Sequence, residues 1–215
     1  MSLFIPGPAG RLEALAWVAQ DTAGAEVAPR AVALVCHPHP LFGGTMHSNV
    51  VFRIARGLQR AGLVVVRFNF RGVEQSEGVH DGRGGEEDDA RAVLDWLAER
   101  HPGLPLWAAG FSFGARTVAA LAAREPRVAH VVCVALPCKV FDCSELLTLT
   151  QPTLCLMAGQ DQYGTLADLR ARFPALPPHV ETDEIEGVDH LFRGATPQLE
   201  ARVRAHARRH METTP

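Results

Sequence analysis

Hydrophobic positions along this chain follow two rhythms that take turns. Ala31–Cys36, Leu63–Phe70, Leu104–Ala109, Val128–Leu136 and Pro152–Ala158 are short, nearly unbroken apolar runs. All read as strands, and the continuous run at 31–36 is what a strand buried on both faces would show. Between them the spacing changes to three and four. Val50, Val51, Ile54, Ala55 and Leu58 mark one face of a helix over Asn49–Ala61, which Gly62 stops. Glu86–Arg100 is amphipathic and opens with acidic residues that suit the positive end of a helix dipole. An Ala-rich helix is expected after Gly114, and others near Thr165–Phe173 and Pro197–Met211. Arg11–Gln20, following a turn at Pro6-Gly7-Pro8, reads as an early strand and His179–Glu186 as a late one. Strands and helices alternate with no internal repeat, no low-complexity linker and no change of composition. The expectation is one α/β domain over residues 1–215, with a mostly parallel central sheet covered by helices on both faces.

Composition narrows the function classes. Of the 215 residues, 47% are hydrophobic and 21% charged, and the formal net charge is −3. This carries no nucleic-acid footprint and no membrane-surface patch. The apolar runs are too short to span a bilayer. MSLFIPGPAG lacks the basic and apolar regions of a signal peptide, so a cytoplasmic location is expected. The basic residues of the last helix, Arg202, Arg204, Arg208 and Arg209, read as a solvated face. The five cysteines (36, 133, 138, 143 and 155) are odd in number and mostly lie in apolar runs, so they read as buried free thiols. Cys138 and Cys143 have no second pair with which to hold zinc.

In a sheet of this kind, chemistry gathers in the loops leaving the carboxyl ends of strands. The strand at 104–109 runs into Gly110-Phe111-Ser112-Phe113-Gly114, and a helix follows. A serine in such a strand–turn–helix setting is a candidate nucleophile, and flanking glycines make room for its sharp turn. The Phe113 N–H at the helix start is a candidate oxyanion donor. A serine needs a base, and a histidine base needs an orienting anion. Asp161 follows the strand at 152–158 and His190 follows the strand near 180–186, which gives the order Ser, Asp, His. Asp189 and Asp142 are rival acids. After the strand at 31–36 comes HPHPLFGGT, stiffened by Pro38 and Pro40. The expected second oxyanion donor is the N–H of His39, with Leu41 the alternative. A metal on His37-x-His39 lacks completing ligands, and neither a metal nor an organic cofactor is expected.

On HPHPLFGGTM at 37–46, RFNFRGV at 67–73, GFSFG at 110–114, Asp161 and His190, the chain resembles the α/β-hydrolases. It is nearest the small bacterial dienelactone-hydrolase-like proteins. The resemblance implies an α/β-hydrolase fold with Ser112, Asp161 and His190 as nucleophile, acid and base. Dienelactone hydrolases proper use cysteine where this chain has Ser112. Residues 137–152 leave no room for the family's inserted cap domain, so an uncapped, open site is expected. Leu41, Phe42, Phe111, Phe113, Tyr163 and Phe192 are expected to line it. Arg71 reads as structural, paired with acids such as Glu74, Glu77 or Asp81, and His80 as surface. The function expected is a serine esterase acting on a small acyl compound. A thioesterase or peptidase using the same triad, and a non-catalytic binding protein on the same fold, are the alternatives. Monomer and homodimer are both open.

Overall fold

All six residues of β3 (Ala31–Cys36) are buried, and they divide between two cores. Val32, Leu34 and Cys36 pack on one side, and Ala31, Ala33 and Val35 on the other. Side chains alternate along a strand, so an unbroken apolar run is satisfied only by a layer on each face. The computed structural model describes residues 3–212 and supplies both layers; residues 1–2 and 213–215 of the expected domain lie outside the described residues.

β3 lies between β4 (Leu63–Phe68) and β5 (Leu106–Phe111), parallel to both. β6 (Val128–Val134), β7 (Thr153–Ala158) and β8 (Val180–Ile185) continue the parallel sheet beyond β5. On the other side β2 (Gly10–Trp17) and β1 (Leu3–Gly7) are antiparallel, giving the order β1-β2-β4-β3-β5-β6-β7-β8. Helices α2 (Gly85–Arg100), α3 (Phe113–Arg124) and α4 (Leu166–Arg172) cover the first core. α1 (Asn49–Gln59) and α5 (Thr196–Glu212) cover the second. This is the mostly parallel, doubly covered sheet that the run pattern predicts.

Two local expectations change. Pro6 is not in a turn but in edge strand β1, opposite Arg11, and the chain reverses at Pro8 and Ala9. An edge strand tolerates a missing N–H that a central strand would not. The acidic start of α2 also does more than meet the helix dipole. Glu87 pairs with Arg116 and Arg124 of α3, and the buried Asp89 pairs with Arg71.

Between β6 and β7 the chain makes only a 3-10 turn at Ser144–Leu147, so there is no cap domain. All five cysteines are free and buried. No helix among the described residues is long and apolar enough to cross a membrane.

Candidate active site

Ser112 directly follows β5 and precedes α3, with φ 56° and ψ −118°. An L-residue enters that region only when its surroundings hold it there. Its N–H donates to the Val134 carbonyl at 2.9 Å, and its own carbonyl accepts from Ala115 and Arg116. The glycines on either side are required by close backbone approach. A Cβ on Gly110 would stand 2.2 Å from the Gly114 oxygen, and one on Gly114 would stand 2.5 Å from the Cys36 oxygen.

The turn aims the hydroxyl at His190. Ser112 Oγ lies 2.9 Å from His190 Nε2, and His190 Nδ1 lies 2.6 Å from Asp161 Oδ2. Asp161 is buried, and its other oxygen accepts the Tyr163 N–H at 2.8 Å. A carboxylate facing Nδ1 keeps the proton there and leaves Nε2 as an acceptor toward the hydroxyl. Phe111 and Tyr163 hold the imidazole from two sides, with ring centroids 5.0 and 4.8 Å away.

The rival acids are engaged elsewhere. Asp189 accepts from the Leu191 and Arg193 N–H groups and pairs with the Arg193 guanidinium. Asp142 is exposed and bonds Ser144, with Arg172 3.5 Å away. Hydrogen bonds from Ser144 lower its pKa.

The HPHP loop is shaped by its glycines and by both histidines. Gly43 adopts φ 75°, and a Cβ on Gly44 would sit 2.0 Å from the Pro38 oxygen. His37 is fully buried, with Nδ1 2.6 Å from the Pro38 oxygen and Nε2 accepting the Phe70 N–H at 3.0 Å. Both of its ring nitrogens are therefore occupied, which leaves no nitrogen for a metal shared with His39. The His39 carbonyl accepts from Phe42 and Gly44, and its Nδ1 accepts the Leu41 N–H at 3.2 Å. Leu41's N–H is thus committed. The N–H groups of His39 and Phe113 have no acceptor among the described residues. The RFNFRGV segment braces this loop from behind. Asn69 accepts the Met46 N–H, Arg67 donates to the Met46 carbonyl, and Arg71 forks onto Asp89.

A cleft of about 620 Å³ opens over Ser112 and His190. Phe42, Phe111, Phe113 and Tyr163 line it, as expected from the sequence. Leu41 and Phe192 do not. Leu41 points to solvent from a 3-10 turn (Pro40–Phe42), and Phe42, itself largely exposed, borders the cleft from the same turn. Phe192, at φ 51°, is buried in the core under α5, and its neighbour Leu191 takes the cleft wall. Val140 and Phe141, from the short β6–β7 connection, complete the wall.

His80 is not a surface residue. Its Nδ1 lies 2.6 Å from Glu86 Oε1, and its ring packs 5.0 Å from that of His39. Burial, and secondly repulsion from His80, lowers the pKa of His39. Arg71 is structural as expected, but its partner is Asp89. No local pattern indicated either contact, since each is made by the fold-back of residues 78–89 onto the loop.

Comparisons with known proteins place the fold among characterised ones. A family model described as alpha/beta hydrolase fold matches residues 34–146. An uncharacterized protein of Rickettsia prowazekii (strain Madrid E) is 34% identical over 206 residues, covering 92% of this chain and 84% of its own. An alpha-beta serine hydrolase homologue from Coxiella burnetii superposes with a TM-score of 0.87 at 33% identity over 96% of each chain. A serine hydrolase without a lid from Xanthomonas campestris gives 0.90 at 31% identity, over 100% of this chain and 96% of its own.

Proposed function

Because the chain belongs to the alpha/beta hydrolase fold family, we propose that it is a serine hydrolase cleaving a carboxylic ester or related small acyl compound. The reading rests above all on one observation: His190 bridges Ser112 and Asp161 at 2.9 and 2.6 Å. In this mechanism His190 Nε2 takes the proton from Ser112 Oγ as the oxygen attacks the substrate carbonyl. Asp161 holds the tautomer and stabilises the imidazolium. The negative charge on the carbonyl oxygen is met by the N–H groups of Phe113 and His39, which have no other acceptor among the described residues. The imidazolium protonates the departing alcohol. Water, deprotonated by His190, then releases the acid and restores the serine.

The cleft bears on the substrate. Its walls are aromatic and aliphatic around a few polar groups, which favours an acyl group with apolar bulk over a highly charged one. The test is intact mass after treatment with a fluorophosphonate, on wild type and on Ser112→Ala. One adduct per chain on wild type and none on the variant is expected. A folded wild type that takes no adduct removes the reading and leaves a binding protein in its place. A panel of esters, thioesters and anilides graded by acyl size then separates esterase from thioesterase and peptidase.

A further inference from the structure

The amino-terminal edge of the sheet, opposite the end that carries Ser112, holds a second cluster of chemistry-bearing side chains. Glu181 is the second residue of β8, and His130 lies near the start of β6. Above them α5 presents His206 and His210, one turn apart in an H-x3-H pair and so on one helix face. Glu181, His206 and His210 each offer a ligand atom, and these three atoms lie within 4.8 Å of one another.

Two features separate this cluster from ordinary surface ion pairing. The first is the burial of polar nitrogen. The His206 side chain is 1% exposed, and its Nε2 has no hydrogen-bond partner among the described residues. His130 stacks on Trp107 at 4.1 Å, also with a buried and unpartnered Nδ1, and its ring lies 4.9 Å from that of His210. The rings of His206 and His210 are 4.5 Å apart. These rings wall the cluster, and within it the nitrogen of His206 beside Glu181, the one placed to hold an ion, is Nδ1. The second feature is the spacing. Glu181 Oε2 is 3.2 Å from His206 Nδ1, and Glu181 Oε1 is 3.5 Å from His210 Nε2. Ligand atoms about 2.0–2.1 Å from a tetrahedral zinc stand about 3.3 Å from one another.

We propose that Glu181, His206 and His210 form a binding site for one divalent transition-metal ion of the zinc class. Two imidazoles and one carboxylate suit zinc, copper, nickel or cobalt, and disfavour magnesium and calcium, which want oxygen ligands. His210 and Glu181 are partly open to solvent, so a water completes the shell. Arg209 competes for the carboxylate, donating to Glu181 Oε2 at 2.8 Å. Its side chain is 60% exposed and swings outward when the ion takes its place. The bound ion ties α5 to the sheet edge, and the arginines of this helix thereby frame a site instead of only solvating its face.

The test uses tag-free, chelator-stripped full-length protein titrated with Zn²⁺ in competition with a chromogenic chelator. Co²⁺ serves as a second probe, read by its visible absorption. The expected result is one Zn²⁺ per chain, tetrahedral-type Co²⁺ bands, and a melting temperature raised by Zn²⁺. Glu181→Gln and His210→Ala alter partly exposed ligands, and their circular dichroism melts verify folding. Each is expected to weaken Zn²⁺ binding at least about tenfold. No Zn²⁺ bound at a hundred-fold excess over protein, or binding unchanged in both variants, overturns the site. The readout is metal content and melting, so the test stands whether or not Ser112 is reactive.

Discussion

Lowering the pH loads a proton onto His37 in the unfolded chain well before the folded protein accepts one. In the fold its Nε2 accepts the Phe70 N–H, so a proton there would set two N–H groups against each other at 3.0 Å. Burial is the largest influence and lowers the pKa from 6.5 to about 4. The Pro38 carbonyl partly opposes the shift and the His39 charge adds to it. Because the folded value lies below the unfolded one, the unfolded state binds more protons between these limits. Stability is therefore fully present above about pH 6.5 and falls as the pH drops toward 4. The gap, at about 1.4 kcal/mol per pH unit, corresponds to about 3 kcal/mol. Urea unfolding of wild type and His37→Gln across this range isolates the contribution, since other acid-sensitive groups cancel in the difference. Wild type is expected to lose about 3 kcal/mol more than the variant on going from neutrality to about pH 4. An NMR titration of the His37 ring gives a second readout that needs no variant. Parallel stability curves, or a ring that titrates near 6.5, would refute the argument.

Other perturbations follow from the same contacts. Asp161→Asn should lower kcat by about three to four orders of magnitude by misplacing the His190 proton, whereas Asp142→Asn should leave it unchanged. Comparable losses in both variants would mean that the acid has been misidentified. Gly114→Ala drives a Cβ to 2.5 Å from the Cys36 oxygen and should cost about 1–3 kcal/mol in chemical denaturation, with loss of activity as the HPHP loop is pushed away. A variant as stable and active as wild type would show that the loop yields freely. Arg71→Met strands the fully buried Asp89 carboxylate and should cost about 3–5 kcal/mol, most of it recovered in Arg71→Met/Asp89→Leu. Failure of the double variant to recover would place the cost in the lost Arg71 packing instead.

The parts of this molecule that were legible in the sequence are those set by local periodicity. Six apolar residues at 31–36 announce a strand with two covered faces, and the positions of Ser112, Asp161 and His190 follow from where runs end. What escaped depends on contacts between distant segments. Pro6 reads as a turn because nothing local says that its strand lies at an edge. Leu191 and Phe192 are equally apolar, and only the reversal at φ 51° decides which enters the core. Asp89 looks like one of several helix-opening acids until Arg71 reaches it. His206 sits among arginines in a segment that reads as solvated, although Trp107 and Glu181 wait beneath it.

The conformation of Ser112 also bears on how this chain responds to selection. A residue with φ 56° and ψ −118° is strained by about 1–3 kcal/mol, and glycine would carry the same backbone without that strain. Any search that ranks substitutions at 112 by stability alone therefore arrives at glycine and discards the hydroxyl on which the proposed chemistry turns. Heat-selected libraries of this protein should drift toward inactive elbows unless turnover is selected alongside, because here the most durable sequence and the working one part ways at a single atom.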